Sequence, residues 1–138
     1  MEKALLLDST VAAYALGENH LRDSNRALLS RIISGEFRAY ASVEMVQELV
    51  HHRLRKTGNR SESANNGRDI AAICTLLNFD RKVLDLSLDL IERNPTVRGR
   101  DAIHAATAIA NGIERIASTD RAFDDIPGIT RVDPLDFP

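Results

Sequence analysis

The residues able to do chemistry are acids set far apart in the chain. Asp8 closes one apolar run, residues 3–7, and Asp120 follows another, residues 113–117. Asp101 opens an alanine-rich stretch that leads straight into the second run. Both runs end in hydroxyls beside an acid, Asp8-Ser9-Thr10 in one case and Ser118-Thr119-Asp120 in the other. Gathering such carboxylates in a partly desolvated cleft is unfavourable by about 4 kcal/mol for a pair about 4 Å apart at an effective dielectric of about 20. A divalent cation removes that cost. Oxygen ligands with no cysteine or paired histidine among them favour Mg2+ or Mn2+ over zinc. Each acid taken singly also has a structural explanation: Asp8 as a cap or turn residue, Asp101 as a complement to a helix dipole, Asp120 as an N-cap. Their convergence is what argues for chemistry. Glu48 lies in an amphipathic stretch beside Leu49 and Val50, where a glutamate ordinarily faces solvent.

Convergence needs a scaffold. Residues 3–7, 37–41, 113–117 and 129–132 read as four short buried strands, the first and third delivering their polar ends into loops. Helical stripes lie between them: Leu21, Leu28, Leu29, Ile32 and Ile33; Val43, Val46, Leu49, Val50 and Leu54; Ile70, Ile73, Cys74 and Leu77. A less regular stripe over residues 83–91 stops at Asn94-Pro95, and the alanine-rich helix after Gly99 stops at Asn111-Gly112. The polar, turn-rich residues 57–67 read as a mobile surface loop. Strands separated by helices imply an α/β fold with a mostly parallel sheet covered on both faces. Such sheets place their sites outside the carboxyl ends of the strands, where Asp8 and Asp120 emerge.

Composition narrows the classes. With 138 residues, 43% of them apolar, the chain is read as a single domain spanning 1–138 with a core of its own. The formal charge of −2 is too balanced for a generally basic nucleic-acid binder, so any such function rests on local charge. Residues 51–60 contain basic groups and no acid, and Arg98 and Arg100 flank the Asp101 region. The 4% of aromatic residues and the absence of tryptophan argue against a base-stacking platform, and Tyr14, Phe37, Tyr40, Phe79 and Phe123 are expected in the core or an interface. The single Cys74 forms no internal disulfide and is expected to be an inert packed residue on a helix. No apolar run approaches the roughly 20 residues of a membrane span, and the opening residues carry no secretory signal, so a reduced cytoplasmic protein without membrane contact is expected.

Four segments taken together, LLLDSTV at 5–11, VEMVQELV at 43–50, RDAIHAATA at 100–108 and STDRAFDDIPGI at 118–129, resemble the successive motifs of PIN-domain nucleases, particularly the VapC-type toxins of prokaryotic toxin–antitoxin pairs. The resemblance implies a PIN-like three-layer α/β/α fold with a parallel sheet of four or five strands. It implies a catalytic set of Asp8, Glu48, Asp101 and Asp120. Asp8, Asp101 and Asp120 would bind Mg2+ or Mn2+, with Glu48 orienting metal waters or completing the shell. Asp124 matches an additional acid of the family, and Thr119 or Ser118 would help orient the metal shell. His104, one helical turn beyond Asp101 with apolar neighbours, is read as a packed, hydrogen-bonded histidine outside the catalytic set. The implied activity is metal-dependent endonucleolytic cleavage of RNA, whether tRNA, rRNA or mRNA; the local positive charge of Arg98 and Arg100 would then meet substrate phosphates. The implied partners are an antitoxin whose tail occupies the cleft and a second copy in a homodimer. Two rivals stand beside this reading. One is a catalytically silent PIN-like module that binds RNA or protein; the other is a phosphatase with Asp8 as nucleophile, although Thr10 occupies the place where that chemistry expects a second Asp.

Overall fold

Alternation along the first strand, β1 (Ala4–Leu7), sends its leucines to opposite faces of the sheet and so defines two cores. The computed structural model describes residues 3–137. Leu5 and Leu7 pack on one side with Val11, Leu28, Met45 and Leu49; Leu6 packs on the other with Ala105, Ala106, Ile116 and Phe123. All three leucines are fully buried, each burial worth about 1.5–3 kcal/mol.

The helices α1 (Ser9–Leu16), α2 (Arg22–Ile33), α3 (Val43–Thr57) and α4 (Arg60–Ile73) supply the first face. The second is covered by α5 (Arg81–Arg93) and α6 (Gly99–Ala110), with a 3-10 turn at Arg121–Asp125. Between the layers β1, β2 (Arg38–Ser42), β3 (Cys74–Leu77), β4 (Arg115–Ala117) and β5 (Thr130–Val132) form one parallel sheet in the order β3-β2-β1-β4-β5. The three-layer α/β/α expectation is met, with five strands. The chain builds outward from β1 through β2 to β3, then returns to place β4 on the other side of β1. The carboxyl ends of β1 and β4 are thus the topological switch point, where open parallel sheets hold their ligands.

Three local expectations are corrected. Residues 57–67 are not a loop. Gly58, at φ 66°, closes α3, and Asn59 at once caps α4 by accepting from the Glu62 N–H at 2.9 Å. The inward positions of α4 are Ser63, Gly67 and Ile70, so its buried stripe is small and largely polar and gives little hydrophobic signal. The stripe read from Ile70 to Leu77 breaks at Cys74, where the backbone turns extended and becomes β3 against β2. Cys74 therefore sits on a strand, with burial pushing its thiol up to about 12, which leaves it inert. Finally, the polar end of β1 does not enter a loop, because α1 begins directly at Ser9. No helix of the described residues is long and apolar enough to cross a membrane.

Candidate active site

Parallel pairing of Leu6 with Ile116 and Leu7 with Ala117 sets the ends of β1 and β4 side by side, and the Asp8 N–H donates to the Ala117 carbonyl at 3.1 Å. Asp8, only 3% exposed, occupies the N-cap position of α1, yet its side chain caps nothing. Its Oδ2 instead accepts from two hydroxyls, Thr10 at 2.8 Å and Ser118 at 2.7 Å. Both bonds are charge-assisted, and they fix the carboxylate from behind. Oδ1 points the other way, 4.0 Å from His104 Nε2. Ser118 Oγ also accepts from the Asp120 N–H at 2.9 Å, tying the two acidic loops together.

Glu48 departs from the ordinary solvated helical glutamate. Its side chain is 18% exposed, the Ser9 hydroxyl donates to its Oε1, and Arg100 stands 3.7 Å from its Oε2. Burial alone would raise its pKa; the contacts with His104 and Ser9 and the charge of Arg100 outweigh that and hold it below the ordinary value. Asp101, in the first turn of α6, shows the opposite. Burial, then the charges of Asp120 and Asp8 and more weakly that of Glu48, push its carboxyl up to about 6. Asp120 caps the 3-10 turn through the Ala122 N–H at 2.9 Å, the structural role expected of it, and its charge acts on Asp101. Asp8, Glu48, Asp101 and Asp120 are thus brought to one end of the sheet.

Other residues singled out from the sequence divide between the site and its surroundings. Asp124 is drawn off into an exposed ion pair with Arg131, at 2.8 and 3.3 Å, which lowers its pKa. Of Ser118 and Thr119, it is Ser118 whose hydroxyl reaches an acid; Thr119 contributes its N–H, 3.4 Å from Thr10 Oγ1. Arg98 is exposed at the N-cap position of α6. Arg100 is largely exposed but leans over Glu48. The reading of His104 as packed and hydrogen-bonded describes half of its ring. The residue is 1% exposed with Nδ1 3.1 Å from Ser42 Oγ, but Nε2 faces the carboxylates with no hydrogen-bond partner. Sequence reading also passed over Ser9 as a partner for Glu48; the recurrence of hydroxyls after both strands was the available signal.

An open cleft of about 690 Å3 reaches this site through Ser9, Thr10, Glu48 and Arg100, and beyond Glu48 α3 also lines it with His51, His52, Arg53, Arg55 and Lys56. The pattern described as the PIN domain matches residues 5–129. The chain belongs to the PIN-domain family. Similar proteins include ribonuclease VapC7 of Mycobacterium tuberculosis, 34% identical over 94% of this chain and 91% of the relative, and ribonuclease VapC13 of the same organism, 32% identical over 93% and 98%. Among solved structures, the VapBC2 complex of Rickettsia felis with a promoter DNA fragment superposes at a TM-score of 0.75, with 16% identity, 94% of this chain and 98% of the other covered. M. tuberculosis VapC20, a toxin that cleaves the sarcin–ricin loop, gives 0.75 at 12% identity over 87% and 92%. This PIN domain also has the donor chemistry for a divalent cation: Asp8, Glu48 and His104 each present a ligand atom, all within 4.8 Å of one another, and one of these is an orphaned buried nitrogen.

Proposed function

We propose that this chain is a metal-dependent endoribonuclease acting in the cytoplasm as the toxin of a toxin–antitoxin pair. The observation that carries the metal site is the gathering of Asp8, Glu48, Asp101 and Asp120 at one end of the sheet, where Asp8, Glu48 and His104 offer ligand atoms within 4.8 Å of one another and where burial, then the charges of Asp120 and Asp8, disfavour ionisation of Asp101. The relatives named as ribonucleases, which align over nearly the whole chain, support RNA as the substrate.

Asp8, Asp101 and Asp120 would hold the ion, Mg2+ or Mn2+, with Glu48 orienting its waters or completing the shell. A divalent ion bound there supplies acidified water as nucleophile and charge stabilisation on the phosphoryl oxygens. The chain's own residues prepare that site. Thr10 and Ser118 fix Asp8 in one rotamer with Oδ1 free, Ser9 orients Glu48, and the Asp120 backbone is anchored through Ser118. Arg100, exposed and 3.7 Å from Glu48, is placed to meet a substrate phosphate, and the basic wall of the cleft carries the strand past it. Arg98 would add a further phosphate contact, and Thr119 would help orient the metal shell or its waters. Asp124, committed to Arg131, is given no role in cleavage.

The same cleft would receive the antitoxin's tail, excluding RNA by occupancy. A homodimer is proposed as well, and the outward row Leu84, Leu88 and Ile91 on α5 is the exposed apolar surface suited to it. A phosphatase with Asp8 as nucleophile fits poorly, because Thr10 stands where that chemistry expects a second Asp and serves instead as a donor to Asp8 Oδ2.

The test is cleavage of a mixed tRNA and rRNA pool by antitoxin-free protein with Mg2+, with Mn2+ and with chelator, alongside Asp101→Asn. Discrete metal-dependent cuts reduced by more than about 100-fold in the variant are expected. Chelator-resistant cleavage, or full activity of Asp101→Asn, would sink the proposal. Metal binding without any cleavage would favour the binding-only module.

A further inference from the structure

The buried face of His104 points to a role that no acid of the cluster can fill. We propose that His104 Nε2 is itself a ligand of the metal, alongside Asp8 and Glu48, so that this chain's site is a mixed nitrogen–oxygen one that prefers a transition ion such as Mn2+ over Mg2+. The inference rests on the metal-site reading above and changes its ligand set.

A buried nitrogen without a partner is unfavourable by about 1–3 kcal/mol and needs a reason. His104 is 1% exposed and its Nε2 is one of the few such atoms among the described residues. It is aimed at two largely buried carboxylates, 3.5 Å from Glu48 Oε1 and 4.0 Å from Asp8 Oδ1. Ligand atoms at about 2.0–2.2 Å from a shared ion lie about 3 Å apart when adjacent and about 4.2 Å apart when opposite, so these separations suit a common ion.

The other side of the ring supports the same assignment. Ser42 Oγ accepts from the Met45 N–H at 3.0 Å as the N-cap of α3 and has a second lone pair 3.1 Å from His104 Nδ1. With Nδ1–H donating to Ser42, the Nε2 lone pair faces the carboxylates. That is the arrangement of ligating histidines, whose second ring nitrogen is fixed by a hydrogen bond. With Nε2 protonated instead, the ring would stand 3.5 Å from Glu48 Oε1 as a charged partner without hydrogen-bond geometry, so a cation bound there would take the place of that proton. A nitrogen donor strengthens binding of first-row transition ions relative to Mg2+, whose shell favours oxygen and retained water.

The experiment is pulsed electron paramagnetic resonance of the full-length, metal-stripped protein loaded with one equivalent of Mn2+. Coupling to 14N is expected, replaced by 15N coupling when the histidines are isotopically labelled. It should persist in a His51→Ala/His52→Ala variant, which removes the exposed histidines beside the site, and vanish in His104→Asn. Calorimetric titration of His104→Asn should show Mn2+ affinity weakened about tenfold or more, with a smaller loss for Mg2+. The labelled wild-type spectrum does not depend on any variant folding. Mn2+ bound with no nitrogen coupling would overturn the His104 assignment and leave a carboxylate-only site, with the ring serving as an imidazolium partner of Glu48. No Mn2+ binding at all would overturn the metal-site reading with it.

Discussion

Asp101 carries the clearest electrostatic signature, and it yields a test in the metal-free protein. Its folded-state pKa of about 6 lies above the roughly 3.9 of an unfolded aspartate, because burial and then Asp120 and Asp8 disfavour its charge. Between about pH 4 and 6 the folded chain therefore binds more protons at this site than the unfolded chain, and this contribution to stability is lost as pH rises through the window. Urea midpoints taken with chelator across that range should fall less steeply in Asp101→Asn than in the wild type; parallel curves would show that the carboxyl is not strained. Ser118 gives a second prediction. Ser118→Ala removes one of two donors from Asp8 Oδ2 and the anchor of the Asp120 N–H, without touching Oδ1. Mn2+ affinity should drop by about 10–100-fold, as for other groups that orient metal ligands, with the circular dichroism spectrum unchanged. The acids themselves were legible in the sequence from type, order and resemblance. The hydroxyls that aim them were harder to read, because a serine after a strand looks like any turn residue until the partner strand is known. His104 was hidden by its apolar neighbours, which bury the ring but do not satisfy it.

At the scale of elements, the pair α3 and α4 shows why part of the fold escaped sequence reading. Periodicity finds helices by their apolar stripe, but α4 lies so close to α3 that its inner face is built of Ser63 and Gly67. A methyl group on Gly67 would come within 2.5 Å of Val50 Cγ2, part of a β-branched side chain with little freedom to move aside. Gly67→Ala should therefore destabilise the protein by about 1 kcal/mol net, overpacking of about 1–3 kcal/mol being partly offset by a helix-propensity gain of about 1 kcal/mol. A denaturant midpoint above the wild type's would mean that the helices have room to separate. The strand β3 was obscured for a related reason: α4 runs into it with no intervening turn, so one apolar series spans two conformations. By contrast β1, β4 and α6 stood out, since each has an uninterrupted apolar or alanine-rich run and, for α6, a stop at Asn111 and Gly112, the glycine at φ 70°.

Over the whole molecule, a net charge of −2 provides no general attraction for RNA, so attraction must come from the asymmetry of the cleft. Its acids are grouped at the sheet end while Arg53, Arg55 and Lys56, in the last two turns of α3, line the cleft further along the helix from Glu48. Two explanations of Arg55 and Lys56 compete. If they complement the negative end of the α3 dipole, replacing both by Gln lowers stability by about 0.3–1 kcal/mol for each charge and leaves RNA binding alone. If they hold the backbone of a single strand, the double variant binds RNA more weakly, and the slope of log affinity against log salt becomes shallower by about 1.4, since each phosphate contact contributes about 0.7. The second outcome is expected, because both residues face the cleft that also contains Glu48 and Arg100. Binding measured in Ca2+ or with Asp101→Asn, the variant expected to lose cleavage, separates affinity from turnover, and the proposed metal site should retain its Mn2+ affinity in the double variant. An unchanged salt slope would move the RNA track away from α3 and leave Arg100 as the principal phosphate contact of the cleft.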